Sequence, residues 1–169
     1  MLRRARHEVI VDGEAHASGA TMPIAKPAVK LHGSCHCGEL RIEFSTAVDL
    51  AGLVPRACDC SFCRKHGAAY ISDPAGRLSI AAKPGALRRY RQGSNHAEFL
   101  VCARCGVLVA VIFEHGSRIH GALNAGCLDD QARLAQPVAA SPQKLGADEK
   151  MSRWLKLWIA DVTLDVAGD

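Results

Sequence analysis

Seven of the eight cysteines in this sequence of 169 residues lie in three short groups. The groups are Cys35-His36-Cys37, Cys58-Asp59-Cys60-Ser61-Phe62-Cys63 and Cys102-Ala103-Arg104-Cys105. A zinc ion binds thiolate sulfurs at about 2.3 Å, and short cysteine knuckles supply such ligands with little loop strain. A disulfide across a single residue is strained, which disfavours reading these groups as cystines. The spacing therefore predicts metal sites, and the fold must bring separate groups together.

The count of seven suggests one complete four-ligand site and one site with three protein ligands. Zinc sites that do chemistry usually keep three protein ligands and leave the fourth position to water or substrate. Cys58, Cys60 and Cys63 lie in one short segment and are the natural open site. The closed site would then use Cys35, Cys37, Cys102 and Cys105. Spacing alone also permits other partitions, including one four-cysteine ion together with a redox pair.

Length and composition predict a single globular domain with an N-terminal extension. Residues 28–169 carry the regular patterning, whereas residues 1–27 show little and are left unassigned. Apolar residues make up 49% of the chain, which excludes a disordered or collagen-like protein. The net charge of +4 is too small to indicate nucleic-acid binding by itself.

The sequence shows no membrane or secretory segment, which predicts a cytoplasmic protein. Its longest apolar run, residues 107–113, has seven residues, whereas a membrane span needs roughly 18. The N-terminal residues lack an apolar segment long enough for a secretory signal, and Glu8, Asp12 and Glu14 are atypical of a mitochondrial transit peptide. In a reducing compartment, clustered cysteines serve as ligands or catalysts more often than as disulfides.

Alternating apolar residues predict a compact, mainly β, antiparallel fold. In residues 39–45, Leu40, Ile42 and Phe44 alternate with charged side chains, as a strand with one buried face requires. Further strands are predicted at 28–32, 67–72, 77–81, 87–91, 97–102, 107–113 and 118–124. The segment 107–113 is apolar on both faces, so we expect it to be a central strand.

The C-terminal part follows a helical spacing instead. Apolar residues recur there at steps of three and four, which predicts one amphipathic helix over 148–158. They are Ala147, Met151, Trp154, Leu155 and Trp158. We expect Trp154 and Trp158 to be core residues of the helix face. Residues 160–166 then alternate as a final strand, and a short helix over 129–135 is weakly indicated.

Five stretches resemble one known family. They are GSCHCG (33–38), CDCSFCRKHG (58–67), LRRYRQG (87–93), FLVCARCGVLV (99–109) and NAGCLDD (124–130). Together they resemble the glutathione-dependent formaldehyde-activating enzyme family, also called the GFA/CENP-V domain, over roughly residues 30–130. The resemblance implies an Mss4-like β fold. It also implies a structural zinc at Cys35, Cys37, Cys102 and Cys105, and a second zinc at an active site formed by Cys58, Cys60 and Cys63.

The open three-thiolate site suggests thiol chemistry. A zinc ion with three thiolates has a formal charge of −1 and is a poorer Lewis acid than a three-histidine site. It is better suited to bind a fourth thiol, lower its pKa and hold it as a thiolate. That thiolate would add to a small aldehyde, while Cys58, Cys60 and Cys63 hold the metal. In the family this corresponds to formation of S-(hydroxymethyl)glutathione, a carbon-sulfur lyase type of reaction.

Several neighbours of the cysteines have two possible roles. The cations that flank the triplet are Arg56, Arg64 and Lys65, which can pair with substrate carboxylates or remain solvated. His36 and His66 are expected to be neighbours or proton carriers more often than ligands, because seven thiols are available. Cys127 stands apart from the groups and is expected to be a buried apolar thiol.

Other functions remain open at this point. A non-catalytic zinc module for nucleic acid or protein is the first alternative, because zinc ribbons use similar knuckles and Arg88, Arg89 and Arg91 form a basic cluster. The small net charge and the eight aromatic residues make nucleic acid an unfavoured partner. Thiol redox chemistry is the second alternative, and an iron-sulfur site is less favoured than either. The sequence specifies neither the physiological thiol and aldehyde nor the oligomeric state.

Overall fold

The computed structural model describes residues 28–167, and the N-terminal extension 1–27 lies outside them. Within this range the chain forms eleven strands and two α-helices. In chain order they are β1 (Val29–Ser34), β2 (Leu40–Thr46), β3 (Arg56–Cys58), α1 (Ser61–Lys65), β4 (Ala69–Ile71), β5 (Arg77–Ala82), β6 (Leu87–Arg91), β7 (Glu98–Cys102), β8 (Leu108–His115), β9 (Arg118–Asn124), β10 (Val138–Ala140), α2 (Ala147–Leu157) and β11 (Asp161–Val166). The predicted mainly β fold with one C-terminal amphipathic helix is confirmed.

The strands form two sheets. One has four strands in the order β1-β2-β5-β11, and the other has seven in the order β10-β3-β4-β9-β8-β7-β6. Most neighbours are antiparallel, but β11 pairs with β5 and β10 pairs with β3 in parallel. In each parallel pair, a long stretch of chain separates the two strands. A parallel pair requires this, because a tight turn reverses the chain direction and gives an antiparallel pair.

Strand β8 is the central buried strand, as its sequence predicts. It lies between β7 and β9, and every side chain from Leu108 to Phe113 is buried. Side chains from this sheet pack into two apolar cores, one on each face, because successive side chains of a strand point to opposite faces. Ile112 and Leu100 pack in the core that also contains Phe44 and Ile80 of the four-stranded sheet. The two sheets therefore share one apolar core.

Helix α2 covers the opposite face of the seven-stranded sheet. Trp154 and Trp158 are buried there with Phe113, and the rings of the two tryptophans stack with centroids 4.9 Å apart. At the start of the helix, the Glu149 carboxylate accepts a hydrogen bond of 2.8 Å from the backbone N–H of Gly146. The helix bounds agree with the predicted 148–158 to within one residue at each end.

Three short elements are absent from the sequence prediction. They are β3, α1 and β10, each of three to five residues. Alternation cannot be recognised over three residues, so β3 and β10 carry no strand signal. The helix indicated over 129–135 is a single 3-10 turn, Gln131–Arg133. Within residues 28–167, no helix is long and apolar enough to span a membrane.

Replacing Gly33 by alanine is expected to lower the free energy of unfolding by about 1–3 kcal/mol. Gly33 is buried in β1, and a Cβ atom built there would lie 2.1 Å from the Cys127 carbonyl oxygen. The added methyl group must push the loop at Cys127 away from β1, close to Cys35. Urea unfolding followed by circular dichroism would measure the change.

Gly126→Ala is the matched control, because it changes an exposed glycine in the same loop. A Cβ at Gly126 would lie 3.7 Å from the Asn124 side-chain oxygen, an ordinary contact distance. We expect this variant to unfold within about 0.5 kcal/mol of the wild type. Equal stability of the two variants would contradict the close approach at Gly33.

Candidate metal centres and the adjoining cavity

Four cysteines meet where two hairpin connections approach each other. Cys35 and Cys37 lie between β1 and β2, whereas Cys102 ends β7 and Cys105 follows in the turn to β8. The four sulfurs all lie within 4.8 Å of one another. The Cys37 sulfur is 3.6 Å from those of both Cys35 and Cys102. A tetrahedral zinc with bonds of about 2.3 Å has sulfur–sulfur edges of about 3.8 Å, so this group fits a metal ion.

The backbone around this group forms tight turns that fix the sulfurs. Gly106 has φ +74°, a left-handed conformation that glycine adopts without strain, and its N–H donates to the Cys102 carbonyl at 3.0 Å. The Leu40 N–H donates to the Cys35 sulfur at 3.3 Å. Cys35 and Cys102 are buried. The four thiols thus form one compact group that could hold a metal ion.

The other three cysteines form a second group around α1. Cys58 ends β3, Cys60 precedes the helix and Cys63 lies within it. Their sulfurs lie within 4.8 Å of one another, and the Cys63 N–H donates to the Cys60 sulfur at 3.4 Å. In the described part of the chain, only these two groups of histidine, cysteine or carboxylate residues have metal-binding geometry.

The three thiols share protons unequally. The hydrogen bond with Cys63 lowers the pKa of Cys58 to about 6, despite partial burial. The same hydrogen bond, together with burial, raises the pKa of Cys63. One negative charge is therefore easily formed in this group, whereas further charge needs a compensating cation. This behaviour fits a metal site.

Tyr70 adds a hydrogen-bond donor to this group, which the sequence did not reveal. It is buried on β4, and its hydroxyl lies 3.3 Å from the Cys63 sulfur. Burial, followed by the nearby thiol of Cys63, raises the pKa of Tyr70. The hydroxyl therefore keeps its proton and can donate to the sulfur.

A cavity of about 130 Å³ opens onto the three-cysteine group. Its apolar wall consists of Ala97, Phe99, Val111, Trp154 and Trp158. The two tryptophans thus belong to the core, as expected, and also line the cavity. The loop between β6 and β7 forms another side, where the Gln92 side-chain amide lies 3.9 Å from the Cys60 sulfur. None of the cysteines of the four-thiol group lines this cavity.

Cations reach the cavity from β3 and α2. Of the three cations that flank the triplet in sequence, Arg56 lines the cavity, whereas Arg64 and Lys65 are exposed and do not. Lys150 and Arg153 of α2 line it as well. Their contribution has no signal in the sequence, because α2 is far from the cysteine triplet along the chain.

The remaining candidates lie outside both metal-binding groups. His36 is exposed, and the His66 ring lies beside Phe62 with centroids 4.6 Å apart. Neither histidine belongs to a group with metal-binding geometry. Cys127 is buried, its thiol lies 3.5 Å from the Leu108 carbonyl oxygen, and burial raises its pKa to about 12. Cys127 is the buried thiol that the sequence predicts.

Comparison with known proteins gives a family match and a structural match. A family model described as "Glutathione-dependent formaldehyde-activating enzyme" matches residues 30–142, which include all seven clustered cysteines and end before α2. The chain is also similar to a Rhodobacter sphaeroides protein whose crystal structure was determined as a structural-genomics target. That similarity has 25% identity and a TM-score of 0.48, and covers 63% of this chain and 99% of that one.

Proposed function

This chain belongs to the glutathione-dependent formaldehyde-activating enzyme family, and we propose that it binds a glutathione-like thiol beside Cys58, Cys60 and Cys63 and joins it to a small aldehyde. The reverse reaction would make it a carbon-sulfur lyase. The observation that supports this function best is the different setting of the two cysteine groups. The three-thiol group opens into a cavity, whereas no cysteine of the four-thiol group lines it.

The two groups would hold zinc in different roles. Cys35, Cys37, Cys102 and Cys105 would hold a structural ion with no place for a substrate. Cys58, Cys60 and Cys63 would hold a second ion with one position left for the substrate. Bound there, this ion would supply a binding site for a thiol sulfur and lower the pKa of that thiol.

The surrounding side chains prepare the cavity for an anionic sulfur. The Gln92 amide donates a hydrogen bond to the Cys60 sulfur, and the Tyr70 hydroxyl can donate one to a Cys63 thiolate, which would spread the charge of the thiolates. The apolar wall around Trp154 and Trp158 offers few hydrogen bonds to a bound sulfur, so a thiolate beside it would be less solvated than in water and more reactive.

The proposed reaction is balanced without a further reactant. The thiol loses its proton on binding, and its sulfur forms a bond to the aldehyde carbon. The π electrons of the carbonyl group move to its oxygen, which takes up one proton. One thiol and one formaldehyde therefore give one S-hydroxymethyl thioether, and the reverse sequence releases them.

Calorimetric titration of the zinc-loaded protein with glutathione tests the proposal. We expect about one glutathione to bind per chain, and S-methylglutathione to bind at least about tenfold more weakly, because a thioether cannot become a thiolate. Cys60→Ala, which removes a ligand of this group alone, should abolish the difference. Equal binding of the two compounds would contradict thiol capture at the cysteine triplet.

Nuclear magnetic resonance with labelled formaldehyde then tests the catalytic step. We expect exchange between formaldehyde and S-(hydroxymethyl)glutathione to be faster with the protein than in buffer at the same pH. The addition of thiols to formaldehyde also proceeds without an enzyme, so the uncatalysed rate is the control. Glutathione binding without faster exchange would indicate a thiol carrier and contradict the enzymatic role.

The structure offers less support for a nucleic-acid module. Arg89 and Arg91 both form ion pairs with Glu98, at 2.9 Å and 2.5 Å. Arg88 is the next residue along β6 from Arg89, so its side chain lies on the other face of the strand. The basic cluster of the sequence is thus divided and partly neutralised. We also propose that residues 28–169 act as one domain, since the two sheets share a core.

A further inference from the structure

The cavity beside the cysteine triplet has three cationic side chains and no carboxylate among its lining residues. The cations are Arg56, Lys150 and Arg153. All three are half-buried. Among residues 28–167, the ion pairs involve other cations, and none of these three is paired with a carboxylate.

The acidic residues nearest in sequence have other partners or lie outside the cavity. The Asp59 carboxylate accepts hydrogen bonds from Ser141, at 2.6 Å, and from Gln143, and Asp59 does not line the cavity. Glu149 accepts a hydrogen bond from the N–H of Gly146 at the start of α2. A zinc ion held by the three cysteines of the same cavity would contribute a formal charge of −1, so the three cations leave the cavity with an excess of positive charge.

Grouping like charges on a partly buried wall costs free energy in the absence of an anion. Arg56 and Arg153 are both half-buried beside the same cavity, so their like charges repel each other. Lys150 lies in the first turns of α2, where the helix dipole already contributes positive potential. A cavity whose walls carry an excess of one sign of charge concentrates ions of the opposite sign. The arrangement is thus suited to an anionic ligand.

Arg56 is held in position for such a ligand. Its guanidinium donates a hydrogen bond of 2.6 Å to the Ser72 hydroxyl, which in turn donates to the Leu157 carbonyl at the end of α2. This chain of hydrogen bonds connects the β3 side of the cavity to the helix that carries Arg153. Guanidinium groups match the planar geometry of carboxylates and can bind them with two hydrogen bonds.

We propose that Arg56, Lys150 and Arg153 form a carboxylate-binding subsite, and that the thiol substrate carries a carboxylate away from its sulfur. The inference rests on the proposed function, because it places the sulfur at the cysteine triplet of the same cavity. Two of the three cations belong to α2, which lies beyond the segment matched to the family. The C-terminal helix therefore contributes two of the three cations, and β3 contributes the third.

Matched pairs of thiols test the subsite on the zinc-loaded protein. The probes are 3-mercaptopropionate with 3-mercaptopropanol, and 6-mercaptohexanoate with 6-mercaptohexanol, so that each pair differs only in the charged group. Calorimetry would give the dissociation constant of each thiol. We expect the acid to bind about tenfold more tightly than its alcohol in at least one pair. The pair with the larger ratio would report the distance between sulfur and carboxylate.

Arg153→Gln should remove most of the preference for the acid over the alcohol. It should weaken the binding of the acids and leave the dissociation constants of the alcohols unchanged within about twofold. Arg64→Gln is the matched control, since Arg64 follows Cys63 directly but lies outside the cavity. It should keep the full preference. Lys150→Gln serves as a second variant should Arg153→Gln fail to fold. Zinc content and circular dichroism would verify that each variant is intact.

The outcomes separate this inference from the proposed function. Equal binding of acid and alcohol in both pairs would overturn the carboxylate subsite and leave thiol capture standing. If Arg153→Gln weakened the binding of the acid and of its alcohol equally, the carboxylate subsite would also be overturned, because an equal effect indicates that Arg153 has a structural role. A third outcome is that hexanoate, which has no thiol, binds as tightly as the mercapto acids and that Arg153→Gln abolishes its binding. This result would support the subsite and refute thiol capture.

Discussion

Cys102→Ala is expected to unfold the protein and to release about one zinc ion per chain. Cys102 is buried at the end of β7, and its sulfur lies 3.6 Å from that of Cys37 in the turn between β1 and β2. The four-thiol group thereby connects the two sheets. Because the binding of a structural zinc is coupled to folding, loss of one ligand should cost on the order of 5 kcal/mol, comparable to the total stability of many domains.

Zinc analysis and urea unfolding of the purified variant would measure this effect. Cys127→Ala is the matched control, because it also removes a buried sulfur but lies outside both metal-binding groups. We expect it to keep both zinc ions and to cost about 1–2 kcal/mol for the small cavity that it leaves. If the two variants were equally stable, the four-thiol group would not be the structural site.

Cys60→Ala is expected to lose about one zinc ion and the binding of glutathione while the fold remains intact. The three ligands of this group come from one short segment, so their metal connects no distant parts of the chain. Cys60 is half-buried, and its sulfur accepts hydrogen bonds of 3.4 Å from the Cys63 N–H, at the start of α1, and of 3.9 Å from the Gln92 amide. We therefore expect the free energy of unfolding to fall by no more than about 1–2 kcal/mol.

The same zinc analysis and urea unfolding, with a glutathione titration, would establish the result. Retained glutathione binding after loss of the zinc ion would show that the thiol binds elsewhere. If Cys60→Ala and Cys102→Ala both unfolded the chain, the division into a structural and a functional site would be wrong. The comparison is direct, because each variant removes one thiol from one group.

The sequence predicts the larger elements because their patterns extend over enough residues. Seven-residue alternation predicts β2, and the apolar spacing around Trp154 and Trp158 predicts α2. The three-residue strands β3 and β10 are too short for such a pattern. Their parallel pairing depends on a long connection whose path no local signal specifies.

In the candidate site, too, the sequence reveals residues that are close together along the chain but not those that only the fold brings together. The cysteine groups are recognisable because ligand spacing is local, and the four sulfurs of Cys35, Cys37, Cys102 and Cys105 do meet. Tyr70 and Arg153 could not be assigned from sequence, since only the packing of β4 and α2 brings them to the triplet. Adjacency in sequence left two roles open for Arg64 and Lys65, and both side chains are exposed outside the cavity, which agrees with the solvated role.

The parallel pairing of β11 with β5 anchors the segment after α2 to the four-stranded sheet. Helix α2, which forms one wall of the cavity, is consequently held at its C-terminal end by β11. Strand β11 contains no cysteine. We expect substitutions along the exposed or cavity-facing positions of 147–158 to change which molecules enter the cavity while both cysteine groups stay as they are. On the proposed function, we therefore expect substrate selectivity and metal binding to be altered independently of each other.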